Sequence, residues 1–519
     1  MGSFGLKGLV VALLLLFLLM GSSFGPCNAR RGKHWRVSRI SSSFLARKRG
    51  RGKSHHHGGS GSGSSKKPKA APPLLPPSPS LAPSPGPSPA PSPGPSPAAK
   101  PSPAPTAKPS PAPSPASRSG GHNVFDVLDF GAKGDGVAED TKAFMAAWAA
   151  ACKVEGSTVL VPSDYEFLLG PISFSGPYCQ PNIVFQLDGT VVAPTSSKAW
   201  GTGLLQWLEF TKLKGITIKG KGVIEGHGAV WWSQSQFEYE PIAGSLFGTL
   251  PHIKPTALRF YGSVGVTVTG ITIQNSPQCH LKFDNCAGVE VFNMSISSPG
   301  NSINTDGIHL QNSRDVSIHH TDLSCGDDCV SIQTGCSNVN IHSVNCGPGH
   351  GISIGGLGRD DTKACVSNIT VQNVAMQGTM TGVRIKTWQG GSGSVQNVKF
   401  SGIRMMEVQT PIVIDQYYCD RTTCRNQTAA VALSGISYEN IKGTYTVKPV
   451  HFACSDSLPC SDIRLTNIEL RPLQERYHMY NPFCWQTFGE LLTPAVPPID
   501  CLQTGKPITS RPMSELESC

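Results

Sequence analysis

From Val266 onward the chain repeats one short pattern: apolar-x-apolar, a polar or glycine pair, then apolar-x-apolar. Its instances are VTVTGITI, VEVFNMSI, VSIHHTDL, VNIHSVNC, ITVQNVAM, VKFSGIRM and IRLTNIEL. They begin at Val266, Val289, Val316, Val339, Ile369, Val398 and Ile463. The first four intervals are 23, 27, 23 and 30 residues, and the last, 65, spans two repeats because ISYENIKG at Ile436 falls between. Alternation with a period of two marks a strand with one buried face. A second short strand precedes most units, in DGIHLQN, DDCVSIQ, GHGISIG, GVRIKTW and PIVIDQY.

Repeats of about 25 residues, made of strands and lacking helices, predict an all-β fold, a right-handed parallel β-helix. Each coil buries alternate residues and hydrogen-bonds to the next coil ~4.8 Å away. A β-sandwich also has many short strands, but it does not keep one register this long. A single helix is expected near the start of this body, where Asp140 can cap the run TKAFMAAWAAAC.

Three different segments come before the body, which starts at about residue 122 and runs to residue 519. Residues 1–29 read as a secretory signal peptide: Lys7, an apolar run from Leu9 to Met20, and the small-x-small site Cys27-Asn28-Ala29. That run is shorter than the ~20 residues a spanning helix needs, so no membrane span is expected in the mature protein. Residues 30–69 form a basic tail, including RRGKHWRVSR and ARKRGRGK, expected to be disordered. Residues 70–121 alternate Ser-Pro, Ala-Pro and Gly-Pro, and proline restricts them to an extended linker. The linker's composition resembles the Ser-Pro and Ala-Pro modules of plant cell-wall glycoproteins.

Charge follows the same division. Residues 1–121 hold 17 Lys and Arg and no acid; of the chain's 44 basic and 34 acidic residues, the body keeps 27 and 34. The body is therefore net −7, although the chain carries +10. For a secreted chain an extracellular polyanion, not nucleic acid, is the expected partner of the tail. Of 17 cysteines, cleavage after Ala29 removes Cys27 and leaves 16, enough for eight disulfides in an oxidising compartment. The cysteines form no paired C-x-x-C blocks, which argues against structural zinc, and no cofactor is expected. Asn293, Asn368 and Asn426 each head an N-glycosylation sequon.

Aligning the second strands brings chemistry together. Asp306 precedes Ile308 by two residues, Asp328 precedes Val330 by two, and His350 precedes Ile352 by two. The spacing is 22 residues both times, so the three stack at one strand edge with Asp327 beside them. In the next coil Arg384 and Lys386 alternate with apolar Val383 and Ile385, so both project from one outer face. An isolated Asp at a coil corner is usually a turn residue bonding its own backbone. Three carboxyls and an imidazole in one place divide into protonated and ionised forms, the division glycosidic cleavage needs. The two cations then suit a substrate that carries its own carboxylate.

The blocks NTD (304–306), GDD (326–328), GHG (349–351) and RIK (384–386), in that order, resemble the signature of polygalacturonases, glycoside hydrolase family 28. The opening NVFDVLDFGAKGDGVAEDTKAF is similar to that of plant members. The resemblance covers roughly residues 122–519 and leaves out the tail and linker. It implies an inverting hydrolase of α-1,4-linked galacturonan in pectin. With the signal peptide, a monomer secreted to the cell wall is expected; the motifs fit cleavage within the polymer or from its ends, and internal cleavage is the expectation. Asp327 would be the general acid, and Asp306 and Asp328 would activate the water. His350 would tune the acid's protonation, while Arg384 and Lys386 would hold substrate carboxylates. Asn304 and Gly349 would shape the site, and Tyr417 or Tyr418 would line a sugar subsite. The resemblance also implies a Cys329–Cys346 disulfide.

Two rival functions compete. A pectate lyase shares fold and substrate but eliminates with Ca²⁺ held by acids. A non-catalytic wall-binding protein would use the basic tail to hold pectin and the β-helix as scaffold. GDD followed by GHG suits acid–base hydrolysis better than either.

Overall fold

A computed structural model of the chain describes residues 123–201, 206–235, 253–421, 423–474 and 481–507. The expected signal peptide, basic tail and Pro-rich linker lie outside the described residues. The body is the expected solenoid. Its strand pairings are parallel, and they build a 20-stranded sheet and an 11-stranded sheet. The repeated units stack in the register their spacing implied. Val266 pairs with Val289, then Val316, Val339, Ile369, Val398, Ile436 and Ile463 follow in one column.

The smaller sheet positions the site, and its strands are numbered here in chain order. They are β1 (Ile172–Ser175), β2 (Gln206–Thr211), β3 (Thr256–Tyr261), β4 (Leu281–Asp284), β5 (Ile308–Gln311) and β6 (Val330–Ile332). β7 (Ile352–Leu357), β8 (Thr381–Thr387), β9 (Thr410–Asp415), β10 (Val450–Ala453) and β11 (Phe483–Trp485) complete it. Inward positions fill the core. Phe174, Phe210, Phe260 and Phe283 stack face to face from β1 to β4 at 4.7, 5.3 and 5.2 Å.

Tight corners hold the register. Gly215, Gly265, Gly288, Asp315, Asn338, Asn368, Asn397, Gly435 and Asp462 occupy the same corner of successive coils, all with φ between 53° and 70°. That left-handed conformation costs most residues ~1–2 kcal/mol and is tolerated by Gly, Asn and Asp. The amides add a ladder outside. Asn338 Nδ2 donates to Asp315 Oδ1 at 2.9 Å, Asn368 Nδ2 to Asn338 Oδ1 at 2.9 Å, and Asn397 Nδ2 to Asn368 Oδ1 at 2.7 Å. All three sequon asparagines are exposed, but the Asn368 amide is already engaged in this ladder.

The cysteines depart from eight bridges. Five disulfides form among the described residues: Cys152–Cys179, Cys329–Cys346, Cys419–Cys424, Cys454–Cys460 and Cys484–Cys501. Cys279, Cys286, Cys325 and Cys336 are buried free thiols. For two of them the reason is visible at another corner, where Ser263, Cys286, Ser313 and Cys336 follow one another from coil to coil. The thiol of Cys286 contacts the Asp284 carbonyl at 3.5 Å, as the Ser313 hydroxyl donates to the Gln311 carbonyl at 2.9 Å. These cysteines serve as substitutes for serine in a packed corner.

Helix α1 (Thr141–Ala151) closes the N-terminal end, with Trp148 edge-on to Phe174 and Phe210 at 5.2 and 5.7 Å. Asp140 occupies the cap position yet makes no capping bond. Its carboxylate accepts instead from the Lys133 and Gly134 amides at 2.7 and 3.0 Å, which orders the preceding loop. A second helix, α2 (Ala229–Ser235), is too short to leave a periodic trace in the sequence. No helix among the described residues is long and apolar enough to cross a membrane.

The corner argument is testable at Asn338. Asn338→Ala loses two ladder bonds and strains φ, with an expected cost of about 1–2 kcal/mol. Asn338→Gly keeps the backbone relaxed and is expected to cost less. Urea unfolding of both variants measures the difference, and equal costs would mean that the corner conformation is not what matters.

Candidate active site

Outward residues of the smaller sheet form the floor of a cleft. Lys282, His309, Ser331, Ser353 and Arg384 lie in one column across β4 to β8. The acids stand where the chain turns into β5 and β6. The Gly307 amide donates to the Asp328 carbonyl at 2.9 Å, and the Cys329 amide to the Gly351 carbonyl at 2.8 Å, which stacks the three turns. The glycines of the motifs permit this approach. A side chain on Gly326 would collide with the Ser302 carbonyl. One on Gly349 would meet the Asp327 carbonyl at 3.0 Å and Cys329 Sγ at 3.2 Å. The Cys329–Cys346 bridge ties the end of the GDD turn to the adjoining coil.

The three carboxyls live in unlike surroundings. Asp328 is 3 % exposed and accepts from Arg384 Nη2 at 2.6 Å, Lys386 Nζ at 2.9 Å and Ser353 Oγ at 2.8 Å. Burial alone would raise its pKa, but Lys386 and Arg384 overcome that and hold it ionised, far below the usual range. Asp327 has burial acting the same way, and the hydrogen bond and charge of His350 pull it below its ordinary value. Its Oδ1 lies 2.9 Å from His350 Nδ1, and both side chains are 24 % exposed. Asp306 goes the other way. Burial, then the charges of Asp327 and Asp328, raise it well above an ordinary carboxyl. Its Oδ2 lies 2.9 Å from Nδ1 of His309, an imidazole that burial and Lys282 hold neutral, down at about 3.

The electrostatics therefore favour a proton on Asp306, whereas the resemblance implies a proton on Asp327. The charges of Asp327 and Asp328 act on Asp306, so the proton belongs to the group of carboxyls and not to one residue. Asn304 sits two residues ahead of Asp306 in the left-handed conformation, its side chain making no hydrogen bond among the described residues. Of the two tyrosines, Tyr418 borders the cleft, with its ring 5.3 Å from Lys386 Nζ and edge-on to Trp388 at 5.6 Å. Tyr417 points elsewhere and donates to Asp456 Oδ2 at 3.1 Å.

Several partners were not singled out in the sequence. Ser353 completes the clamp on Asp328, and His309 pairs with Asp306. His280, fully buried, bonds the Asp306 carbonyl at 2.8 Å and Ser298 Oγ at 2.7 Å. The signal for two of them was present. His309 and Ser353 are the outward residues of strands already aligned by their apolar positions. His280 sits inside a strand-entry turn with no periodic mark.

Oxygen and nitrogen atoms of Asp327, Asp328 and His350 lie within 4.8 Å of one another, a spacing that could suit a metal ion. The donor set fits one poorly, because Arg384 and Lys386 already occupy both oxygens of Asp328 with positive charge. A β-helix floor that gathers three carboxyls in different protonation states is the working surface of a glycosidase. Residues 152–481 match Glycosyl hydrolases family 28, and the chain belongs to that family. A polygalacturonase of Cryptomeria japonica is 42% identical over 357 residues, 68% of each chain. Polygalacturonase-2 of Solanum lycopersicum is 41% identical over 354 residues, 67% of this chain and 75% of the relative. Two solved structures share the fold. The endo-xylogalacturonan hydrolase of Aspergillus tubingensis has a TM-score of 0.59 at 20% identity, over 69% of this chain and 94% of that one. The polygalacturonase of Erwinia carotovora has a TM-score of 0.56 at 23% identity, over 71% of this chain and 94% of that one.

A raised pKa in the folded state means that Asp306 favours folding while protonated and opposes it once ionised. That contribution is complete below the unfolded carboxyl pKa and is lost as pH rises through the higher folded value. Asp306→Asn removes the ionisation, so the variant is expected to melt higher than the parent at pH 7 although inactive. The difference should shrink towards zero in acid, and melting curves across pH measure it.

Proposed function

We propose that the chain is a secreted polygalacturonase that hydrolyses α-1,4-galacturonosyl linkages of pectin with inversion, cutting within the polymer. The observation that carries this reading is the division of charge at the acids. Asp328 is locked ionised by two cations, while Asp306 and Asp327 share the means to hold a proton. The names of the plant relatives support the substrate, and Arg384 and Lys386 suit its carboxylates.

Substrate completes the arrangement. Covering Asp327 adds to the burial that already pushes its carboxyl up. A uronate carboxylate near Arg384 and Lys386 weakens their pull on the acids. Both effects move the proton from Asp306 to Asp327. Asp327 then gives it to the glycosidic oxygen as the C1–O bond breaks. Asp306, now an ionised carboxylate of raised basicity, takes a proton from water attacking C1 on the opposite face, with Asp328 fixing that water's orientation. The site thereby returns to its starting state, with the proton on Asp306 and Asp327 ionised, and His350, 2.9 Å from Asp327 Oδ1, tunes that acid's protonation.

Asp327→Asn keeps the shape of the site but has no proton to give. Turnover of de-esterified polygalacturonate is expected to fall about 10³-fold. Reducing ends should form in EDTA without absorbance from unsaturated products, and NMR should show the β-anomer first. EDTA-sensitive absorbance would instead identify the lyase, and tight binding without turnover would identify a wall-binding protein.

The basic tail of residues 30–69 would tether the enzyme to anionic pectin through charge. Deleting it should abolish salt-sensitive retention on isolated walls while leaving soluble turnover unaltered. Undiminished retention of the shortened protein would remove the tether from the account.

A further inference from the structure

The register of the floor continues past the acids. Lys386 on β8 pairs with Asp415 on β9, then Ala453 on β10, then Trp485 on β11. The neighbouring outward column runs Arg384, Val413, His451, Phe483. Three coil steps at ~4.8 Å place Trp485 and Phe483 about 14 Å along the floor from the cations of the cleft. Their side chains are left in the open, with Trp485 49% and Phe483 40% exposed. Being last in a solenoid exposes a strand's backbone edge. It does not account for two large aromatic residues on the outward face of β11.

These rings are held in place. Trp485 Nε1 donates to Asp456 Oδ1 at 2.8 Å, and the Tyr417 hydroxyl donates to Asp456 Oδ2 at 3.1 Å. One carboxylate thus fixes two ring edges. The His451 ring stacks on Phe483 at 5.0 Å, and Lys448 Nζ lies 5.6 Å from the Phe483 ring centre. Rigid exposed aromatic faces bind the apolar face of a pyranose, at little entropy cost. A neighbouring ammonium suits a sugar that carries a carboxylate.

We propose that Trp485, Phe483 and Tyr417, with Lys448, form a distal platform that binds the same polyuronate chain several sugars away from the bond being cut. This rests on the polygalacturonase reading and extends it. The platform favours long chains over short ones and supports cleavage within the polymer. It also gives Tyr417 a role apart from Tyr418, which borders the cleft.

The test is calorimetric binding of oligogalacturonides to the Asp327→Asn protein, comparing oligomers that fill only the cleft with ones long enough to reach β11. Adding Trp485→Ala should cut the affinity advantage of the long oligomer about tenfold. Trp485→Phe, which restores a ring, should recover most of it. Lys448→Gln leaves every ring in place and should lower the same advantage and its salt dependence, so the question stays decidable if the alanine variant folds poorly. An undiminished long-chain advantage in these variants overturns the platform. Turnover by the unsubstituted protein is scored separately. Its absence, with length-dependent binding lost in Trp485→Ala, would overturn the hydrolase and keep the platform as a polyuronate site.

Discussion

Everything in this molecule hangs on the hydrogen-bonded ladder between successive coils. A parallel ladder permits no slippage once one face is buried, because a shift of one residue would turn every core side chain outward. The corners enforce that register, each coil turning on a residue that accepts the left-handed conformation. Since register is conserved from coil to coil, residues far apart in the chain meet at fixed positions on the floor. Asp306, Asp328 and His350 are close for the same reason that Ile308, Val330 and Ile352 are stacked.

Within that frame the cleft is an electrostatic compromise. Three carboxyls in a buried place repel one another, and the fold does not remove the conflict. It gives each a different answer: two cations for Asp328, an imidazole for Asp327, and a retained proton for Asp306. Such a site is destabilising by design, and the regular coils on either side supply the stability it lacks. The Cys329–Cys346 bridge and the glycines at 326 and 349 keep the crowded turns from relaxing apart.

Much of this was legible in the sequence, because a solenoid converts spacing into position. The column from Val266 to Ile463, the stacking of the acids and the common face of Arg384 and Lys386 all follow from a period of two within a coil and one residue count between coils. What escaped notice has other causes. Four cysteines that look like half-cystines are buried free thiols, and two of them, Cys286 and Cys336, are corner residues packed in place of serine, a distinction that depends on neighbours in other coils. Asp140 stands where a helix cap belongs but is drawn to a loop amide pair that sequence order does not advertise. The proton's preference for Asp306 over Asp327 depends on depth of burial and on Lys386 and His350, and neither quantity has a linear trace.

The corners have one more consequence. Most coils in the column repeat within 23 to 30 residues, yet the step from Val398 to Ile436 is far longer, and Val398 still pairs with Ile436 and Ile436 with Ile463. The surplus chain loops out beside the cleft, carrying Tyr417, Tyr418 and the Cys419–Cys424 bridge. Position along the axis and the shape of the wall are thus independent variables. A lineage can lengthen, shorten or replace such a loop and so alter which chains it accommodates, while the catalytic residues stay where the ladder puts them. The architecture separates what must stay constant for chemistry from what is free to diversify.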